Sequence, residues 1–181
     1  MTADVPLPRL TFVLGGARSG KSAYAQQLAE SAVRADGSSP ELIFVATAEA
    51  GDDEMTARIA RHQADRGPRW RTIECPLELS RALQETAGPG HVIVVDCLSL
   101  WISNLMHAGR DTDRACTELS DVLANCAGAV ILISNEVGLG IVPDNALARA
   151  FRDHAGRMHQ NIAAQADRVV FVAAGLVLPL K

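Results

Sequence analysis

Gly15-Gly16-Ala17-Arg18-Ser19-Gly20-Lys21-Ser22 decides how this chain is read, because it fits G-x-x-x-x-G-K-[ST] between an apolar run, Leu10 to Leu14, and a helical pattern from Ser22 to about Arg34. Strand, glycine turn and helix thus come in the order that a phosphate-binding loop requires. Glycines let backbone N–H groups turn inward around a polyphosphate, Lys21 has the reach for its outer phosphates, and Ser22 is placed to hold a magnesium ion. The stretch predicts binding of a nucleoside triphosphate.

Outward from this loop, apolar runs alternate with helical patterns, the signature of a parallel sheet with helices on both faces. The fold class expected is α/β, a three-layer sandwich of the P-loop NTPase type with a mainly parallel central sheet. Strands are expected at Leu10–Leu14, Leu42–Ala46, Val92–Asp96, Val130–Ser134 and Val169–Ala173, with a weaker one at Arg69–Glu74 and a short last one within Gly175–Lys181. Helices are expected at Ser22–Arg34, Asp52–Asp65, Leu77–Thr86, Leu98–Met106, Asp113–Cys126 and Asn145–Gln165. Gly37-Ser38-Ser39-Pro40 and Gly88-Pro89-Gly90 read as turns.

The 181 residues are 48% hydrophobic and 21% charged, enough for one well-buried domain and too few for two. Residues 10–181 are read as that domain, and 1–9 as a flexible extension. A net charge of -4 argues against a nucleic-acid partner. No apolar run approaches the roughly 18 residues of a membrane span, and Met1 to Arg9 lacks the apolar core of a signal peptide. The expectation is a soluble cytoplasmic protein with no membrane partner. Cys75, Cys97, Cys116 and Cys126 form no C-x-x-C pair and read as buried free thiols.

Val92-Ile93-Val94-Val95-Asp96 is a buried strand ending in a carboxylate, which in phosphate-loop enzymes stands beside the magnesium ion. Asp96 is the candidate; its other reading is a cap for the helix from Leu98. Ligands of open parallel sheets bind beyond the carboxyl ends of the strands, where Gly15, Thr47, Asp96 and Asn135 all fall.

From Asp52 to Arg66 the chain carries acids first and basic residues last, as a helix dipole favours. His62 lies one turn from Arg58 and one from Arg66. Flanking guanidinium groups disfavour a protonated imidazole, leaving a neutral nitrogen able to attack phosphorus. On spacing alone, a solvated helix end with a surface histidine is the simpler reading. No Asn-Lys-x-Asp run follows a strand, which speaks against a guanine-reading signalling switch.

Gly15 to Ser22, Asp52-Asp53-Glu54-Met55 leading to Arg61-His62, Trp70-Arg71-Thr72 with Glu74, Asp96-Cys97-Leu98-Ser99-Leu100-Trp101 with Asn104, and Asn135-Glu136-Val137-Gly138-Leu139-Gly140-Ile141-Val142-Pro143 together resemble one enzyme family. That family is the bifunctional adenosylcobinamide kinase and adenosylcobinamide-phosphate guanylyltransferase of cobalamin biosynthesis, and the resemblance runs from Leu10 to Lys181. It implies phosphorylation of a corrinoid, adenosylcobinamide, with ATP or GTP. Transfer of GMP from GTP to the new phosphate follows, through a guanylyl-histidine, and gives adenosylcobinamide-GDP. The resemblance assigns His62 as the nucleophile; Lys21, which the phosphate-loop motif itself places against the transferred phosphates, is the other catalytic residue. It places nucleotide contacts at Gly15, Gly16, Ala17, Arg18, Ser19, Gly20, Lys21, Ser22, Ala48, Glu49, Ala50, Gln63, Ala64, Asp65, Arg66, Glu74 and Asp96. Magnesium is expected on Ser22 and Asp96, and a homotrimer is implied, with sites between subunits.

Arg18 is open between phosphate, corrinoid and bracing the turn. Asn135 and Glu136 are open between substrate or metal contact and structural hydrogen bonds, and Trp101 between a corrinoid ring and the core. Two rival functions stand beside the main one: a simple P-loop small-molecule kinase, and a GTP-regulated interaction module.

Overall fold

The computed structural model describes residues 7–32, 39–48 and 67–181. Within them, seven strands form one sheet: β1 (Leu10–Gly15), β2 (Glu41–Ala46), β3 (Trp70–Glu74), β4 (His91–Asp96), β5 (Ala129–Asn135), β6 (Arg168–Ala173) and β7 (Leu176–Pro179). Their order across the sheet is β3-β2-β4-β5-β1-β6-β7. The pairings from β3 to β6 are parallel, and β7 alone runs antiparallel, against β6. The helices are α1 (Lys21–Glu30), α2 (Leu79–Thr86), α3 (Leu98–His107), α4 (Thr112–Asn125) and α5 (Ala146–Gln165).

Continuous apolar strands follow from burial on both faces, and alternate side chains sort into two cores. Phe12, Ile43, Val45, Ile93, Val95 and Leu132 meet α2 to α5 on one face. Val13, Phe44, Val94, Ile131 and Val172 share the other cluster with Ala25 and Ala29 of α1. Fully buried side chains such as Phe12 and Ile43 each contribute about 1.5–3 kcal/mol relative to exposure. The sheet therefore has helices on both faces, as the alternating pattern predicts.

Element ends differ from expectation for local reasons. The first helix starts at Lys21 and stops at Glu30, short of Arg34, because Ala32 N–H closes a tight turn on Ala29 O and the Ser31 hydroxyl donates to Leu28 O. Leu79 N–H bonds to Leu77 O, so Leu77 and Glu78 form a turn ahead of α2. Asp111 accepts the Arg114 N–H and thereby starts α4 at Thr112. The Asn145 side chain caps α5 through Leu147 N–H and Ala148 N–H. Gly88-Pro89-Gly90 is a turn, closed by His91 N–H on Gly88 O. Leu7 packs against the α1-side core, and Arg9 donates to Leu123 O. Residues 7–9 are thus tied to the body, where the sequence suggests a loose extension. The helix expected over Asp52–Asp65 lies outside the described residues.

Candidate functional site

The strand order sets β5 between β1, which leads into the glycine loop, and β4, which ends at Asp96. Register completes the row at the carboxyl edge: Glu74 and Asp96 both pair with Ala46, while Gly15 pairs with Asn135 on one side and Val172 on the other. Gly15, Thr47, Asp96 and Asn135 thus stand together along one edge of the sheet, as their places at strand ends suggest.

The loop itself is shaped by backbone. Gly15 has φ 153°, and a Cβ there would collide with the Val172 carbonyl oxygen, so only glycine fits. Arg18 takes a left-handed φ of 55° and is exposed. Gly20, at φ 102°, precedes α1, whose first turn has no side-chain cap and no acid. Its N–H groups are left to an anion. Gly175 N–H donates to Ser19 O at 2.8 Å, so the β6–β7 turn props the loop from behind.

Lys21 is 6% exposed, and its Nζ donates to Gly16 O at 2.5 Å. Burial pulls its pKa below the ordinary lysine value, against the opposing pull of the Asp96 carboxylate and the Cys97 thiol. Such a cation is poised for an incoming polyanion, which replaces the solvation that the fold has removed. Ser22 Oγ donates to Asp96 Oδ2 at 2.6 Å, joining loop and strand end across 74 positions of chain. This hydroxyl–carboxylate pair is a hard oxygen donor set of the kind magnesium takes. Asp96 is thereby a partner of the loop, beyond any role as a cap.

Thr47 locks the neighbouring strand end. Its hydroxyl donates to Cys97 O and accepts from Cys97 N–H, both at 2.8 Å, around the cis Asp96–Cys97 peptide. Asn104 Nδ2 donates to Thr47 O and Pro76 O. Ala48 follows directly, half-buried. Glu74 is four strand spacings from Gly15, about 19 Å. One phosphate cannot touch both; a nucleotide lying along the edge, or a second nucleotide position, can. Glu49, Ala50, His62, Gln63, Ala64, Asp65 and Arg66 lie outside the described residues.

Of the open alternatives, Trp101 belongs to the core: it is 1% exposed, and its indole N–H donates to Leu77 O. Sequence reasoning missed a buried polar chain behind β5. His159, 8% exposed on α5, meets Ser134 Oγ through Nε2 at 2.8 Å, and Ser134 Oγ lies 3.3 Å from Ser99 Oγ. Ser99 Oγ accepts the Asn135 N–H at 2.8 Å. On the other side of the ring, Nδ1 stands 3.9 Å from Glu136 Oε2. Burial lowers the His159 pKa, with Glu136 opposing, so the ring is neutral at pH 7. The available signal was a histidine among Ala155, Met158 and Ile162 on the buried stripe of α5. Burial raises the Cys97 thiol pKa, and the Asp96 carboxylate adds to the effect, which makes Cys97 inert as a nucleophile.

A family model for cobinamide kinase / cobinamide phosphate guanyltransferase matches residues 11–180. The bifunctional adenosylcobalamin biosynthesis protein CobP of Pseudomonas aeruginosa is 46% identical over 172 residues, spanning 94% of this chain and 96% of that protein. The corresponding protein CobU of Salmonella typhimurium is 38% identical over 187 residues, spanning 95% and 99%. Among solved structures, flagellar accessory protein FlaH from Methanocaldococcus jannaschii superposes with a TM-score of 0.53 at 15% identity, over 98% of this chain and 80% of that one. The ATPase domain of G40P does so with a TM-score of 0.50 at 13% identity, over 91% and 69%. These two share the fold.

Proposed function

The chain belongs to the cobinamide kinase / cobinamide phosphate guanyltransferase family, and from that premise we propose how its residues divide the work. It is a bifunctional enzyme of adenosylcobalamin biosynthesis, phosphorylating cobinamide and guanylylating cobinamide phosphate. The simple kinase and the interaction module are thereby set aside.

In the first step, Gly15 to Ser22 hold the triphosphate of ATP or GTP, and Lys21 offsets charge that builds on the transferred group. Ser22 and Asp96 are the residues that would hold magnesium, which when bound draws charge from the phosphate oxygens. Adenosylcobinamide supplies the accepting hydroxyl. In the second step, neutral His62 attacks the α-phosphorus of GTP, pyrophosphate leaves, and the corrinoid phosphate takes the guanylyl group from the imidazole. Ala48, Glu49, Ala50, Gln63, Ala64, Asp65, Arg66 and Glu74 contact the nucleotide along the edge. The subunits associate as a homotrimer, the state that the family resemblance implies; exposed aliphatic side chains on the β7 rim (Leu176, Leu178, Leu180) and beyond β5 (Leu139, Ile141) support contact between subunits. Four unpaired thiols suit the reducing cytoplasm.

The observation that carries this reading is the buried Lys21 beside the Ser22–Asp96 contact. Its test is incubation with GTP labelled at the α-phosphate, followed by denaturation. Acid-labile, base-stable label on the wild type, absent from His62→Ala while that variant still phosphorylates adenosylcobinamide, supports the assignment. Label retained in His62→Ala removes His62 from it.

A further inference from the structure

The two reactions differ in what they ask of a base. The first acceptor is an alcohol and must lose a proton as it attacks phosphorus. The second acceptor is a phosphate monoester, whose second pKa of about 6 leaves it largely ionised at neutral pH. A carboxylate at the loop edge would therefore be needed for one reaction only. Lys21 is a cation and Asp96 is engaged with Ser22, so neither suits the task.

Glu136 does. It follows β5, the strand between the loop strand and the Asp96 strand, and its N–H donates to Gly15 O at 3.0 Å. Its backbone is thus fastened to the first residue of the phosphate loop. One carboxylate oxygen, Oε1, accepts the Gly138 N–H. The other, Oε2, faces His159 Nδ1 at 3.9 Å, while the side chain keeps 22% of its surface open. With a carboxylate on the Nδ1 side, the tautomer carrying its proton there is favoured, and Nε2 then accepts from Ser134 Oγ. Carboxylate, imidazole and hydroxyl in sequence suggest a nucleophilic serine, but Ser134 is fully buried. The order runs the other way: the interior serines brace the ring, and the ring steadies the carboxylate.

We propose that Glu136 accepts the proton of the corrinoid hydroxyl in the phosphorylation step and that His159 is its positioning residue, an inference that rests on the functional reading above. The acceptor O–H bond breaks toward Glu136, its oxygen bonds to the γ-phosphorus, and the bond from that phosphorus to the β,γ-bridging oxygen breaks. The nucleoside diphosphate leaves with the electron pair, and Glu136 returns the proton to water.

The two steps are assayed separately, phosphorylation with adenosylcobinamide and ATP, guanylylation with preformed adenosylcobinamide phosphate and GTP. Glu136→Gln keeps an acceptor for Gly138 but no basic oxygen. It should lose about 10²–10⁴-fold in phosphorylation kcat, hold guanylylation within threefold, and keep the wild-type melting temperature. His159→Ala should lower phosphorylation kcat about tenfold with the corrinoid KM unchanged, and His159→Asn, which restores a donor near Nδ1, should recover most of it. Phosphorylation within threefold of wild type in Glu136→Gln, or an equal fall in both steps, overturns the proposal. Wild-type protein inactive in both assays overturns the functional reading, and this inference with it.

Discussion

The groove between α2 and α4 and the loop edge of the sheet house their charges in opposite ways. The groove encloses about 1040 Å³, floored by Leu77, Trp101, Leu105 and Val122, and shares no residue with the loop edge. Its charges are paired in the open: Arg110 meets Glu78 at 2.8 Å with both side chains more than half exposed, and Arg114 meets Glu118 on the α4 surface. Such pairs are worth only about 0–1 kcal/mol, and nothing about them is poised for a ligand. At the loop edge the fold has instead stripped water from Lys21, tied Ser22 to Asp96 and left the first turn of α1 uncapped. Volume and chemistry are separate properties, and the second marks the site.

The sharpest way to break this contrast is to remove the buried cation. Lys21→Ala should cost about 10²–10³-fold in both reactions while the fold is retained, as turnover and circular dichroism will report. Undiminished turnover would make the loop edge as idle as the groove.

How far the sequence anticipates this edge depends on the kind of signal. β1 and β4 announce themselves as apolar runs ending in a glycine loop and in Asp96, because burial on both faces leaves no polar alternation. The Ser22–Asp96 contact has no local signature, since it is created by strand order and by α1 packing against β4 and β5. Trp101 carries an aromatic face that suits a core more often than a flat ligand; its burial and the Leu77 carbonyl decide it. His159 was hidden for a further reason. An imidazole on a helix stripe reads as surface until Ser134 of strand β5 bonds it and Glu136, just beyond that strand, faces it.

A second test sharpens the contrast through acidity. Because burial lowers the His159 pKa, the unfolded chain binds the proton more readily, so stability rises with pH in that window. It should be lost as pH falls from about 6.5 toward the lower native value, by up to about 1.4 kcal/mol per pH unit. Urea unfolding between pH 5 and 7.5 should show this slope in the wild type and a shallower one in His159→Asn. Identical slopes would detach the buried ring from the energetics of the edge.

The smallest effect is expected in the groove. Arg110→Ala should change stability by less than about 0.5 kcal/mol and leave both reactions unaltered, checked by thermal melts and turnover. A loss comparable to that of Lys21→Ala would move the chemistry to the groove.

Amide hydrogen exchange with and without magnesium and a slowly hydrolysed GTP analogue reads the central claim directly, since it compares both regions in one sample. Protection gathered at residues 15–22 and at Glu136, with α2 and α4 unchanged, is the predicted outcome. Protection along α2 and α4 with the loop unchanged would contradict it.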